Sequence, residues 1–196
     1  MATLRPFRDY DEKDVVNLFG LHDTSLDSTQ DLSTWAKRLP HGTLVALQTG
    51  WKSDQELAML EDAGAASAGL KNVTTQRYGV AAKVFPSQAN GADRPFGMTL
   101  HHVAHYDENG EQLKFNPRKA AELEACIVGQ AVPIVRRGMF LINGVAGTPA
   151  AGAAVYGDAN GGMTATDAGS SIQVGIALGA AAGGDTLVLL DIDHWN

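Results

Sequence analysis

Cysteine is almost missing: Cys126 is the only one in 196 residues. That excludes an internal disulfide and any cluster of thiolates for zinc or iron–sulfur. Aromatic residues make up 7% and charged residues 19% of the chain, too few for long surface helices laced with ion pairs. Basic residues stop at Arg137, whereas Asp158, Asp167, Asp185, Asp191 and Asp193 follow it. With 15 Lys+Arg against 22 Asp+Glu the net charge is −7. Affinity for nucleic acid comes mostly from Lys and Arg on phosphates, so this balance argues against nucleic acid as a partner. No apolar run approaches the roughly 18 residues of a membrane span. The N-terminus has no apolar stretch of the signal-peptide kind, so a protein made in the cytoplasm and used without translocation is expected.

What remains is a composition of small residues, with Gly at 22 and Pro at 7 positions. It suits short strands and tight turns, and the expected fold class is mainly β: a small antiparallel β-barrel or sandwich, two short helices and an extended N-terminal arm. We divide the chain into an arm and loop over 1–40 and a β-rich domain over 41–196. The adjacent Val15 and Val16 favour an extended segment before Gly20. Residues 32–39 offer a helical turn or two before Pro40, and 43–49 read as a strand. Ser53 and Glu56 form a capping box for a helix near 54–63. Strands are expected at 73–77, 79–85 and 98–106. Asn109-Gly110 is a hairpin signal between 98–106 and 111–115. Asn116 as N-cap and Pro117 at the first helical position open a helix predicted over 117–127. Beyond it, 132–142, 153–156, 163–166, 172–178 and 186–192 alternate with glycine-rich turns in the manner of a small barrel or sandwich.

Four groups of residues invite a chemical reading. His101 and His105 would grip one metal on a helix. On the strand expected here they stand roughly 13 Å apart, too far for one ion with bonds of about 2 Å, and His101 and His102 point to opposite faces. Asp191 and Asp193 would share one side of a strand at roughly 6.6 Å, but such a pair at a strand end is common by chance and a solvated acidic edge is the better explanation. The glycines at 144, 147, 152 and 157 precede a β segment and no lysine, so they read as turn residues and not as a phosphate cradle. Cys126, placed mid-helix among apolar neighbours, reads as an inert buried thiol. No catalytic residue, cofactor or metal site is nominated.

The last third carries more specific text. AVPIVRRGMF over 131–140, GTPAAGAAVY over 147–156, DANGGM over 158–163, VGIAL over 174–178 and GDTLVLL over 184–190 resemble, in that order, the capsid decoration (cement, or head-stabilising) proteins of tailed bacteriophages. LRPFRDYDEKDVVNLF over 4–19 is similar to the start of structural proteins from the same phages, as are 76–84 and 117–121. The resemblance implies a non-enzymatic β-barrel virion protein on the outer surface of the mature head. It often sits there as a homotrimer at local three-fold positions, bound to the phage major capsid protein and tying capsomers together against packaged DNA. It implies neither a nucleic-acid nor a membrane partner. An extended segment can grip a shell by strand addition, so the arm is the expected contact, with Leu4, Pro6, Phe7, Tyr10, Leu18 and Phe19 as its apolar anchors. The same residues packing on their own barrel is the competing expectation. Alternative functions are a tail, connector or head-fibre-base component; a carbohydrate-binding module displaying Trp51 and Trp195; or a small metal-dependent hydrolase built on His101, His105 and Asp191.

Overall fold

A computed structural model describes residues 3–19, 34–51, 82–87, 94–127, 130–169, 171–180 and 184–194. The helix expected near 54–63 and the strand expected at 73–77 lie outside them. The described chain is mainly β, as the composition predicts, with one short α-helix. Among these residues no helix is long and apolar enough to cross a membrane.

The larger sheet has six strands. In chain order they are β1 (Thr3–Asp9), β9 (Arg137–Asn143), β10 (Ala154–Gly157), β11 (Met163–Thr164), β12 (Gln173–Ala180) and β13 (Asp185–Asp191). In space the order is β1-β9-β13-β12-β10-β11, every pair antiparallel. Strand β13 shows how the sequence sets this. Thr186, Val188 and Leu190 are buried, while Asp185, Leu187, Leu189 and Asp191 between them turn outward, the period-two pattern of a sheet with one covered face.

The other sheet closes on itself. Strands β2 (Val15–Phe19), β4 (Ala82–Pro86), β3 (Leu44–Trp51), β5 (Gly97–Thr99) and β8 (Ala131–Val135) form a ring in that order. The β2–β4 seam is parallel and rests on the pair Phe19↔Lys83. Three ring strands carry consecutive buried residues: 44–46 in β3, 97–99 in β5 and 134–135 in β8. Leu44 and Val135 join a core shared with the six-stranded sheet, packed with Phe140, Ile142, Val188 and Leu190. Their chain neighbours Val45 and Ile134 join a second core with Val132, Val103 and Leu39. That is why LVAL and AVPIV run apolar without alternation. The two sheets share one core, so the arrangement is sandwich-like.

Four sequence expectations change. The strand predicted over 98–106 is two, β5 and β6 (His102–Ala104), in different sheets, and its predicted hairpin partner 111–115 meets it only in the bridge Tyr106↔Gln112 before a 3-10 turn over Leu113–Phe115. The single strand predicted over 132–142 is two strands, β8 and β9, which part at Arg136 and enter different sheets. Gly138 permits the turn-over: its φ of +149° is one that side-chain-bearing residues rarely adopt. A Cβ there would also stand 2.8 Å from the Asp9 carbonyl oxygen. The last third is accordingly an open sheet that β1 extends, and the closed ring draws four of its five strands from earlier in the chain. Finally, the helix predicted over 117–127 is α1 (Pro117–Glu122), capped as expected by the Asn116 side chain accepting from the Lys119 amide. It stops because 125–127 are needed elsewhere: β7 (Ala125–Ile127) pairs in parallel with β6 (His102–Ala104). Cys126 is therefore on a strand.

Candidate functional site

Strand β1 lies at one edge of the six-stranded sheet, and its register against β9 shifts between Leu4 and Arg8. Proline at position 6 offers no amide hydrogen to a ladder, which suits an edge strand. The six apolar residues singled out in the arm separate here. Leu4 is buried in the shared core and Leu18 packs against the ring core. Pro6 is exposed, as is Phe7 at 47%. Tyr10 is partly exposed and stacks on Phe140 with ring centroids 5.9 Å apart. Phe19 ends β2, where its backbone pairs with Ala131 on one side and Lys83 on the other.

Beneath β1 runs an open cleft of about 410 Å³ lined by Leu4, Pro6, Arg8, His41 and Glu124. Arg8 spans it, donating to a Glu124 carboxylate oxygen at 2.9 Å and to the Leu100 carbonyl at 3.3 Å. This bond to Arg8 is the main cause holding the Glu124 carboxyl below its ordinary range. At the back of the cleft, the His41 amide donates to His102 Nδ1 at 3.0 Å, and the two imidazoles meet edge to face at 4.1 Å. Trp35 packs on the other side of His102 at 5.4 Å, with the Arg38 guanidinium 4.3 Å above the indole. Burial first, and then neighbouring positive charge, brings the pKa of His41 down to about 4 and that of His102 to about 3. Both rings are therefore neutral at pH 7. No spacing in the sequence pointed to His41, which meets His102 only because Leu39 and Val103 pair across strands.

The candidate chemical groups do not assemble. His102 is 8% exposed and turned onto His41 and Trp35, while His105 packs on Tyr106. Among the described residues no three His, Cys, Asp or Glu are placed to hold a metal. Asp191 pairs with Arg137 at 3.5 Å, and Asp193 pairs with Arg136. These aspartates answer arginines at the sheet's end rather than a cation. Gly144, Gly147 and Gly152 all have positive φ in tight turns, the role composition assigned them. Cys126 is half-buried and its thiol is pushed up by burial, so it is a poor nucleophile. The arrangement offers surfaces, charge pairs and a stiff core.

No curated protein matches the chain. A family model described as phage cement protein matches residues 120–192. This stretch begins within α1 and takes in β7, β8 and five of the six strands of the large sheet, all except β1. The resemblance read from 131–190 is thus met by an independent comparison over the same segment. Residues 120–192 of this chain match the phage cement protein family, which gives the protein a structural, capsid-associated role.

Proposed function

We propose that the protein is a cement protein of the outer capsid surface, which binds the phage major capsid protein and stabilises the mature head by bridging capsomers as a homotrimer. The observation that carries this reading is the coincidence of the family match over 120–192 with the stiff part of the molecule: β9 and β13, paired over seven consecutive residues, and their shared core with the ring. A strap under tension needs a body that does not deform, and close-packed interiors have low compressibility. The acidic balance, net −7, keeps free copies soluble and repels them from DNA.

The contact surface on the shell is the exposed part of the arm, Pro6, Phe7 and Tyr10, presented at the β1 edge. Leu4 and Leu18 act as its fastenings to the body. Heating tests the stabilising role. Mature heads lacking the protein should release DNA at a lower temperature than decorated heads, and adding purified protein should restore the higher temperature. An unchanged release temperature would remove head stabilisation from the account.

A further inference from the structure

Strand β1 runs along the rim of the six-stranded sheet, and its middle leaves the ladder. Leu4 pairs with Ile142 and Arg8 with Phe140, so three residues, Arg5 to Phe7, stand opposite Leu141 alone. A bulge of this kind re-aims the side chains it carries. Pro6 is exposed and Phe7 is 47% exposed, and the proline ring stiffens the backbone between them. The open cleft of about 410 Å³ lies under Pro6, so the bulge has little beneath it. What holds it is an ion pair at each end. On one side Arg5 Nε donates to Asp185 at 3.0 Å, and the Asn143 amide fixes the same carboxylate oxygen at 2.7 Å. On the other, Arg8 is tied to Glu124 and to the Leu100 carbonyl.

Glu124 makes the second tie more than a surface pair. It follows the end of α1 with a φ of +48°, a left-handed position usually taken by glycine. A carboxylate there also faces the negative end of the helix. The helix gains nothing from a glutamate at this point; the bulge gains an anchor.

We infer that residues 5–7 are a pre-formed insertion, whose Phe7 ring, with Pro6 beside it, enters an apolar pocket on the shell protein. Arg5, Asp185, Arg8 and Glu124 are its positioning residues. The inference rests on the shell-binding reading above, and it replaces strand addition with side-chain insertion as the mode of contact. Strand addition needs a free row of backbone groups along the edge. Here Pro6 has no amide hydrogen to offer and the bulge interrupts the pleat. At Leu4 the chain is crowded as well, since a Cβ added at Gly42 would lie 2.9 Å from the Leu4 amide nitrogen. Charge is no better a handle, because both arginines are answered within the molecule. Tyr10 is committed to Phe140 by stacking. The ring left unclaimed is Phe7, and an aromatic side chain held ready in advance suits a concave, apolar partner.

Titration of undecorated heads with the full chain tests this, read as the half-saturating concentration in co-sedimentation. Arg5→Met keeps the side-chain stem and cuts one tie. Glu124→Gly cuts the other and gives the left-handed position the residue it favours. Each should raise the half-saturating concentration roughly fivefold, the cost of ordering the bulge on binding, with a melting temperature close to the wild type's. Phe7→Ser should do the same or more, and adding either change to Phe7→Ser should cost nothing further. Residues that touch the shell themselves, or only support the fold, would instead add their effects. Additive losses therefore overturn the inference, as do tie variants that bind like the wild type. Wild-type affinity in Phe7→Ser is the result strand addition predicts, and it overturns insertion while leaving shell binding intact. A wild-type chain that binds no heads at all would overturn the shell-binding reading, and this inference with it.

Discussion

The six-stranded sheet and the closed ring are built by opposite means. In the sheet, β9, β12 and β13 are seven or eight residues long and paired over most of their length with one face inward. The ring collects strands from positions 15 to 135 and shuts through one residue pair, and its β3 and β8 send consecutive residues into two cores. Within the sheet β12 and β13 form a hairpin, but β13 meets β9 across more than 40 residues and β9 meets β1 across 130 or more, so sheet and ring alike form only after distant segments meet. The family match covers every strand of the sheet except β1 and reaches the ring only through β8. The N-terminal segments outside the match join it through β1 at the sheet edge and β2 in the ring.

The sharpest way to break this comparison is to empty the core that the two regions share. Phe140 is fully buried among residues of both sheets, so Phe140→Ala should cost about 3–5 kcal/mol. Sheet and ring should still unfold in one transition, with backbone and aromatic circular dichroism coinciding; two separated transitions would show that the regions are independent.

A smaller effect is read by pH. In the fold His41 stays neutral to about pH 4 and His102 to about pH 3, whereas in the unfolded chain both take up protons near 6.5. The unfolded state binds the extra protons, so stability is full above about pH 7 and falls as the pH drops from about 6.5 towards 4. His102→Gln should flatten the denaturant midpoint between pH 6.5 and 4.5, above the range where carboxylates titrate. An unchanged slope would remove the histidine pair from the protein's acid response. The smallest effect on stability is expected at the rim: Phe7→Ser removes a half-exposed ring and should change stability by under about 1 kcal/mol. It should nonetheless weaken binding to heads several-fold.

Much of the sheet was legible because its rules are local. The turns are marked by glycine, and strands β10 to β13 begin within a residue or so of where their pattern predicts. The division at Arg136 was not legible. The run 132–142 is apolar and β-prone throughout, and what parts it is the approach of Asp9 and Tyr10 to Gly138, a contact over more than a hundred residues. The end of α1 was hidden for the same reason, since Ala125 to Ile127 are drawn into pairing with β6. In the arm, hydrophobicity alone could not distinguish Leu4, which is buried, from Phe7, which is not. Only the register of β1 against β9 separates them. The His41–His102 contact left no trace in spacing, because both residues are ordinary in their own neighbourhoods.

The most direct test of the cement reading is co-sedimentation of the purified, folded protein with expanded heads that lack it, read as copies bound per capsomer. Saturation at a fixed ratio matching the local three-fold positions is the predicted result, with Phe7→Ser needing several-fold more protein to reach it. A folded wild-type protein that leaves the heads bare at every concentration would contradict the account.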